Sequence, residues 1–186
     1  MPTVASRGLE DVVASPSSIC FIDGDKGVLA YRGFDIHDLA ERSSFPETTY
    51  LLWHGRLPNA AELRQLVEQI RVASPVPEGV LRLLAHLPRE APPMDVLRTT
   101  VSALAHYDPD VADMTPAGNL RKAVRLVAQT PTLIAAFDRL RHGKTPIAPA
   151  DDLGIAGNFL YMLTGERPIA TAERALDIAL ILHADH

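Results

Sequence analysis

The groups best suited to chemistry stand together in the closing stretch ALDIALILHADH, residues 175–186. Eight of its twelve residues are apolar, and His183, Asp185 and His186 sit at its end. The two histidines are three apart, which puts both rings on one face if the helix runs through them. A helix C-terminus carries partial negative charge and favours protonated imidazole. In a buried site such an imidazole binds a carboxylate or polarises a ketone. Asp185 can orient a neighbour by accepting an N–H bond. Two other readings compete. Both histidines can be ordinary cationic caps of a helix end. Two imidazoles and a carboxylate within four residues can also be metal ligands. No other local His/Asp/Glu cluster completes a coordination shell, so no metal site is expected.

These groups need an element to carry them. From Thr171, read as the N-cap, the chain turns polar and then apolar. Leu176, Ile178, Ala179, Leu180, Ile181 and Leu182 cover nearly every face of the later turns. A helix apolar all round is expected to be buried in a larger core.

The rest of the chain reads as short helices behind one β-hairpin. In SSICFIDGDKGVLAYRG, Ile19, Phe21 and Ile22 precede a turn-rich Asp23–Gly27, and Val28, Leu29 and Tyr31 follow it, so a hairpin is expected over about 18–31. Helices are expected after about residue 35. Asp35 caps the first, Ser44 and Pro46 begin the second, Gly55 ends it, and Asn59 caps the third. Pro77, Pro92–Pro93 and Thr115–Pro116 open three more. Thr130–Pro131 reads as a fresh cap with proline at the first helical position, for a helix that stops at Gly143. A further helix holds Ile155, Phe159, Leu160 and Met162 and ends at Gly165. The expected class is all-α, with roughly eight or nine helices. The loop-like GKTPIAPA at 143–150 reads as internal to one domain, because the helices on both sides are apolar and need partners.

Composition excludes several functions. The 186 residues are 47% hydrophobic, enough for one real core. A net charge of −5 and the lack of basic runs argue against nucleic-acid and anionic-membrane partners. The apolar stretches are too short to span a bilayer, and the N-terminus has no signal-peptide core. The single Cys20 permits no internal disulfide. In a strand it is expected to be a packed thiol and not a nucleophile. No GxGxxG, Walker or GxSxG motif is present.

Taken in order, several segments resemble the citrate synthase family. They are SICFIDGDKGVLAYRGFDIHDLAERSSFPETTYLLWHGRLP, then PMDVLRTTVSAL with the DPD that follows, the Thr130–Pro131 step, NFLYMLTG and the closing LILHADH. Two positions depart from the family pattern. Pro92 stands where a histidine is frequent, and Gly157 stands where many relatives carry a larger residue.

The resemblance implies a multi-helical large domain with a small N-terminal β-hairpin, incomplete at its C-terminus. Residues 1–186 would be the N-terminal part of that domain, with the small domain and the C-terminal half absent. It also implies an acyltransferase that condenses acetyl-CoA with oxaloacetate to citrate and CoA, without metal or redox cofactor, in a cytoplasmic homodimer. His186 falls on the second histidine of the closing motif, an oxaloacetate contact, and His183 on the first, in a supporting role. The catalytic residues are expected after residue 186, so this chain alone is expected to be inactive. The alternatives are 2-methylcitrate synthase of the same family and a natural non-catalytic helical interaction module.

Overall fold

Local signals set most of the element boundaries. The structure is a computed structural model, and it describes residues 17–185. His186 lies outside the described residues. Strand β1 (Cys20–Asp23) pairs antiparallel with β2 (Val28–Tyr31), and Cys20 lies opposite Tyr31. A third strand, β3 (Phe34–Asp35), extends the expected hairpin to a sheet of order β1-β2-β3. The two residues between β2 and β3 are Arg32 and Gly33, both at positive φ (50° and 87°), as a tight two-residue hairpin turn needs. Arg32 is held in this uncommon conformation by its own guanidinium, which donates to the Ser18 and Leu52 carbonyls.

Eight α-helices follow among the described residues: α1 (Ile36–Arg42), α2 (Phe45–His54), α3 (Ala60–Ala73), α4 (Glu78–His86), α5 (Pro93–Leu104), α6 (Pro116–Arg141), α7 (Ile155–Thr164) and α8 (Ala170–Leu182). Asp35 caps α1 by accepting from the His37 N–H. Ser44 with Glu47 and Asn59 with Glu62 form capping boxes at α2 and α3, and Thr115 accepts from Gly118 at α6. Gly55 ends α2 in the left-handed conformation.

Two expected helix starts are corrected. Thr130–Pro131 does not begin a helix, because α6 runs unbroken through Pro131. Instead of capping, the Thr130 hydroxyl donates back to the Leu126 carbonyl at 2.7 Å. A proline inside a helix costs about 3 kcal/mol. Val124 and Ala128 before it and Leu133, Ala136 and Phe137 after it are all buried, and this packing outweighs the break. Thr171 is likewise not a cap. Ile169 holds that position with no side-chain bond, and α8 starts at Ala170. Pro168 sets the preceding backbone, and alanine is the better helix former.

Helix α6 is the axis of the larger part of the molecule and packs against α3, α4, α5 and α7. Three buried clusters line it: Tyr50, Leu66, Ile70, Val124 and Ala128; Val76, Val80, Leu104 and Leu133; and Leu84, Val96, Ala136 and Phe137. A fourth cluster (Tyr31, Ile36, Leu39, Leu51 and Ile181) joins the sheet, α1 and α2 to the end of α8. The 143–150 loop lies within the fold, with α6 and α7 packed directly across it. The Asn158 side chain pins the loop, accepting from the Ala150 N–H and donating to the Ala150 and Leu153 carbonyls.

Candidate functional site

Helix α8 carries the candidate residues at its end, and two of its side chains help hold it in place. Arg174 donates to the Ala40, Glu41 and Ser43 carbonyls at 2.5, 3.1 and 2.8 Å, satisfying the open end of α1. One turn on, Asp177 accepts from the first N–H of α2, on Phe45, at 3.0 Å and from Arg174 at 2.8 Å. A single ion pair on α8 thus caps the C-terminus of one helix and the N-terminus of the next, each with the charge its dipole favours.

The α8 backbone ends against the sheet. Tyr31 is fully buried, and its hydroxyl donates to the Leu182 carbonyl at 3.1 Å. Ala184 packs on the same cluster as Cys20. The Asp185 carboxylate accepts a hydrogen bond from the Cys20 thiol and, aided by desolvation, pushes its pKa up to about 11. The thiol therefore stays protonated at neutral pH and is a poor nucleophile. The sequence suggested an N–H donor for Asp185, and the donor found is a thiol.

His183 is the C-cap of α8 and is exposed. Its Nδ1 lies 2.8 Å from the Ala179 carbonyl oxygen. That oxygen can only accept, so Nδ1 carries the proton and Nε2 remains for an outside partner. Helix α8 stops at Leu182, and the expected pairing of His183 with His186 on one face lies outside the described residues. Among the described residues, no group of three or more His, Cys, Asp and Glu is arranged to hold a metal ion. No helix there is long and apolar enough to cross a membrane.

Helix α8 is not buried all round as its composition suggested. Only Ile181 is buried, while Leu176, Ile178 and Leu180 are half-buried and Leu182 is 40% exposed. Helix α8 packs against α1, α2 and α7. Leu176 and Leu180 line an open groove of about 390 Å³ with Phe45 of α2, Leu126, Pro131 and Ile134 of α6, and Ile155 and Phe159 of α7.

The two departures have local consequences. Pro92 stands at the N-cap of α5 and makes no side-chain bond there. Gly157 leaves space for Glu173, whose carboxylate oxygen lies 2.7 Å from where a Cβ would stand. Sequence reasoning missed Tyr31, Arg174 and Asp177. Each looks locally like an ordinary strand or helix residue, because its partner is far away in the chain.

The class these features define is a helical fold with a small antiparallel sheet, whose last helix brings a histidine-bearing tip onto that sheet. The family model described as "Citrate synthase, C-terminal domain" matches residues 8–186. The chain belongs to the citrate synthase family. It is 48% identical over 183 residues to Citrate synthase 2 of Bacillus subtilis, covering 98% of this chain and 49% of that protein. It is 40% identical over 181 residues to the Citrate/2-methylcitrate synthase of the same organism, covering 97% and 49%. The crystal structure of citrate synthase from Pyrobaculum aerophilum superposes with a TM-score of 0.89 at 38% identity, over 96% of this chain and 46% of that one. The chain thus spans about half the length of the relatives it matches.

Proposed function

We propose that this chain is the N-terminal half of an acyl-CoA:oxaloacetate condensing enzyme and contributes one wall of its oxaloacetate site. What carries this reading is the match over nearly the whole chain to citrate synthases about twice its length. On this reading His186 contacts oxaloacetate, and His183, with Nε2 turned outward, supports it. A cationic imidazole there would polarise the ketone under attack. The enolising acid and base lie in the other half, so this chain alone does not turn over, since local histidines cannot replace a positioned acid–base set. The acyl group is acetyl, giving citrate, with propionyl, giving 2-methylcitrate, as the second reading, because relatives of both descriptions match. The whole enzyme acts as a cytoplasmic homodimer without metal or redox cofactor.

The test is thiol release from acetyl-CoA plus oxaloacetate. The 186-residue chain should stay at the blank rate, whereas the chain joined after His186 to the second half of the Bacillus subtilis relative should turn over. Turnover by the 186-residue chain alone would overturn the half-site reading. In the joined protein, His186→Ala should raise the KM for oxaloacetate, and unchanged kinetics would remove its role.

A further inference from the structure

The hydrogen bonds that end α8 fall on one rung of the sheet. Cys20 and Tyr31 are directly paired across β1 and β2. Tyr31 holds the carbonyl of Leu182, the last residue of α8, and Cys20 holds the side chain of Asp185 three residues later. Between these two points the chain closes into a tight turn, with the Ala184 N–H donating to the Ile181 carbonyl at 3.2 Å. Ile181 and Ala184 pack into the same cluster as Tyr31. Both ends of the 182–185 segment are thus tied to a single pair of facing residues, and the residue that follows is His186.

We propose that the Cys20–Tyr31 rung is a positioning device for the substrate site, fixing residues 182–185, and with them His183, against the sheet. This rests on the functional reading above and deepens it. The rung suits the task for three reasons. Tyr31 is fully buried, so water competes little for its bond to the Leu182 carbonyl. The burial that raises the pKa of Tyr31 and the carboxylate that raises that of Cys20 keep both groups as neutral donors through the physiological range. The rung also belongs to a sheet whose register is set by pairing on both sides of β2, so its two donors move as one body. Neither residue needs to touch the substrate, so they act through the histidine.

Two measurements test this. In the 186-residue chain itself, Tyr31→Phe keeps the ring and removes only the hydroxyl. Hydrogen exchange at the amides of residues 183–185 should speed up about tenfold, with the α3–α6 amides unchanged. Unchanged exchange at the tip overturns the proposal. In the joined protein defined above, Tyr31→Phe and Cys20→Ala should each raise the KM for oxaloacetate by about tenfold. The KM for acetyl-CoA should stay within about twofold, and Cys20→Ser, which keeps a donor, should recover most of the loss. If His186→Ala impairs oxaloacetate use while Tyr31→Phe and Cys20→Ala do not, the positioning role falls and the functional reading stands. If His186→Ala has no effect, the functional reading falls and takes the positioning role with it. If the joined protein shows no turnover, the exchange result decides alone.

Discussion

The block around α6 and the end of α8 are built on different principles. In the block, each helix hides an apolar stripe and turns its charges outward, and the charges find one another locally. Arg121 and Arg125 of α6 clamp Asp108, Asp110 and Asp113 of the preceding loop, with contacts of 2.6 to 2.9 Å. Three buried clusters lie there. At α8 one residue is buried, and Leu176 and Leu180 face a groove. Besides the cluster around Ile181, α8 is held by polar contacts to distant backbone made by Arg174, Asp177 and Tyr31. Area burial is non-directional and tolerates small shifts, whereas a hydrogen bond specifies place. The block supplies stability, and the α8 end supplies position.

The largest expected effect falls on the block. Leu133 is 1% exposed in the cluster between α4, α5 and α6. Leu133→Ala should cost about 2–5 kcal/mol through lost burial and the cavity left behind, read as a lowered midpoint in urea unfolding. A loss below about 1 kcal/mol would mean that the block is loosely packed, and the contrast with α8 would vanish.

A smaller effect is expected at the polar anchor. Arg174→Ala removes three bonds to carbonyls and leaves Asp177 with the Phe45 N–H alone. Hydrogen bonds to a charged group contribute about 1.5–3 kcal/mol each when well shielded. The Arg174 side chain is 39% exposed, so water replaces part of that, and a total near 2 kcal/mol is expected. The informative readout is where the loss appears. Amides of α8 should exchange faster while those of α3–α6 keep their protection. Uniform loss across the chain would show that α8 and the block unfold as one unit.

The same contrast explains what was legible in the sequence. Helix starts and stops are written in neighbouring residues, so Asp35, Ser44, Asn59, Thr115, Gly55 and Gly165 could be read directly. The third strand was missed because Phe34–Asp35 is too short to show alternation. Thr130–Pro131 carries a start signal that is locally sound, and only the clusters on both sides of it overrule that signal. The anchors of the candidate site were invisible because their partners lie 151 residues away for Tyr31 and 131 and 132 for Arg174 and Asp177. The apolar character of α8 was read correctly. Its burial was not, because composition shows that a face wants cover and says nothing about whether this chain provides it.

The smallest effect expected is also the one that most sharpens the comparison. Leu180 is as apolar as Leu133, and it lies on the helix whose sequence looked most deeply buried. In the structure it borders the groove and keeps part of its surface in water. The free energy of burial scales with the area removed from water, so a half-covered leucine contributes only a fraction of the ~2 kcal/mol of a covered one. Leu180→Gln should therefore cost less than about 1 kcal/mol in the 186-residue chain. In the protein joined to the second half of its relative, the same change should cost more, because a covered groove turns the glutamine amide into a buried polar group without a partner. Equal costs in the two backgrounds would mean that the groove stays open when the fold is extended. A cost in the 186-residue chain as large as that of Leu133→Ala would mean that α8 is already part of the core, and the division of labour between the two regions would have to be abandoned.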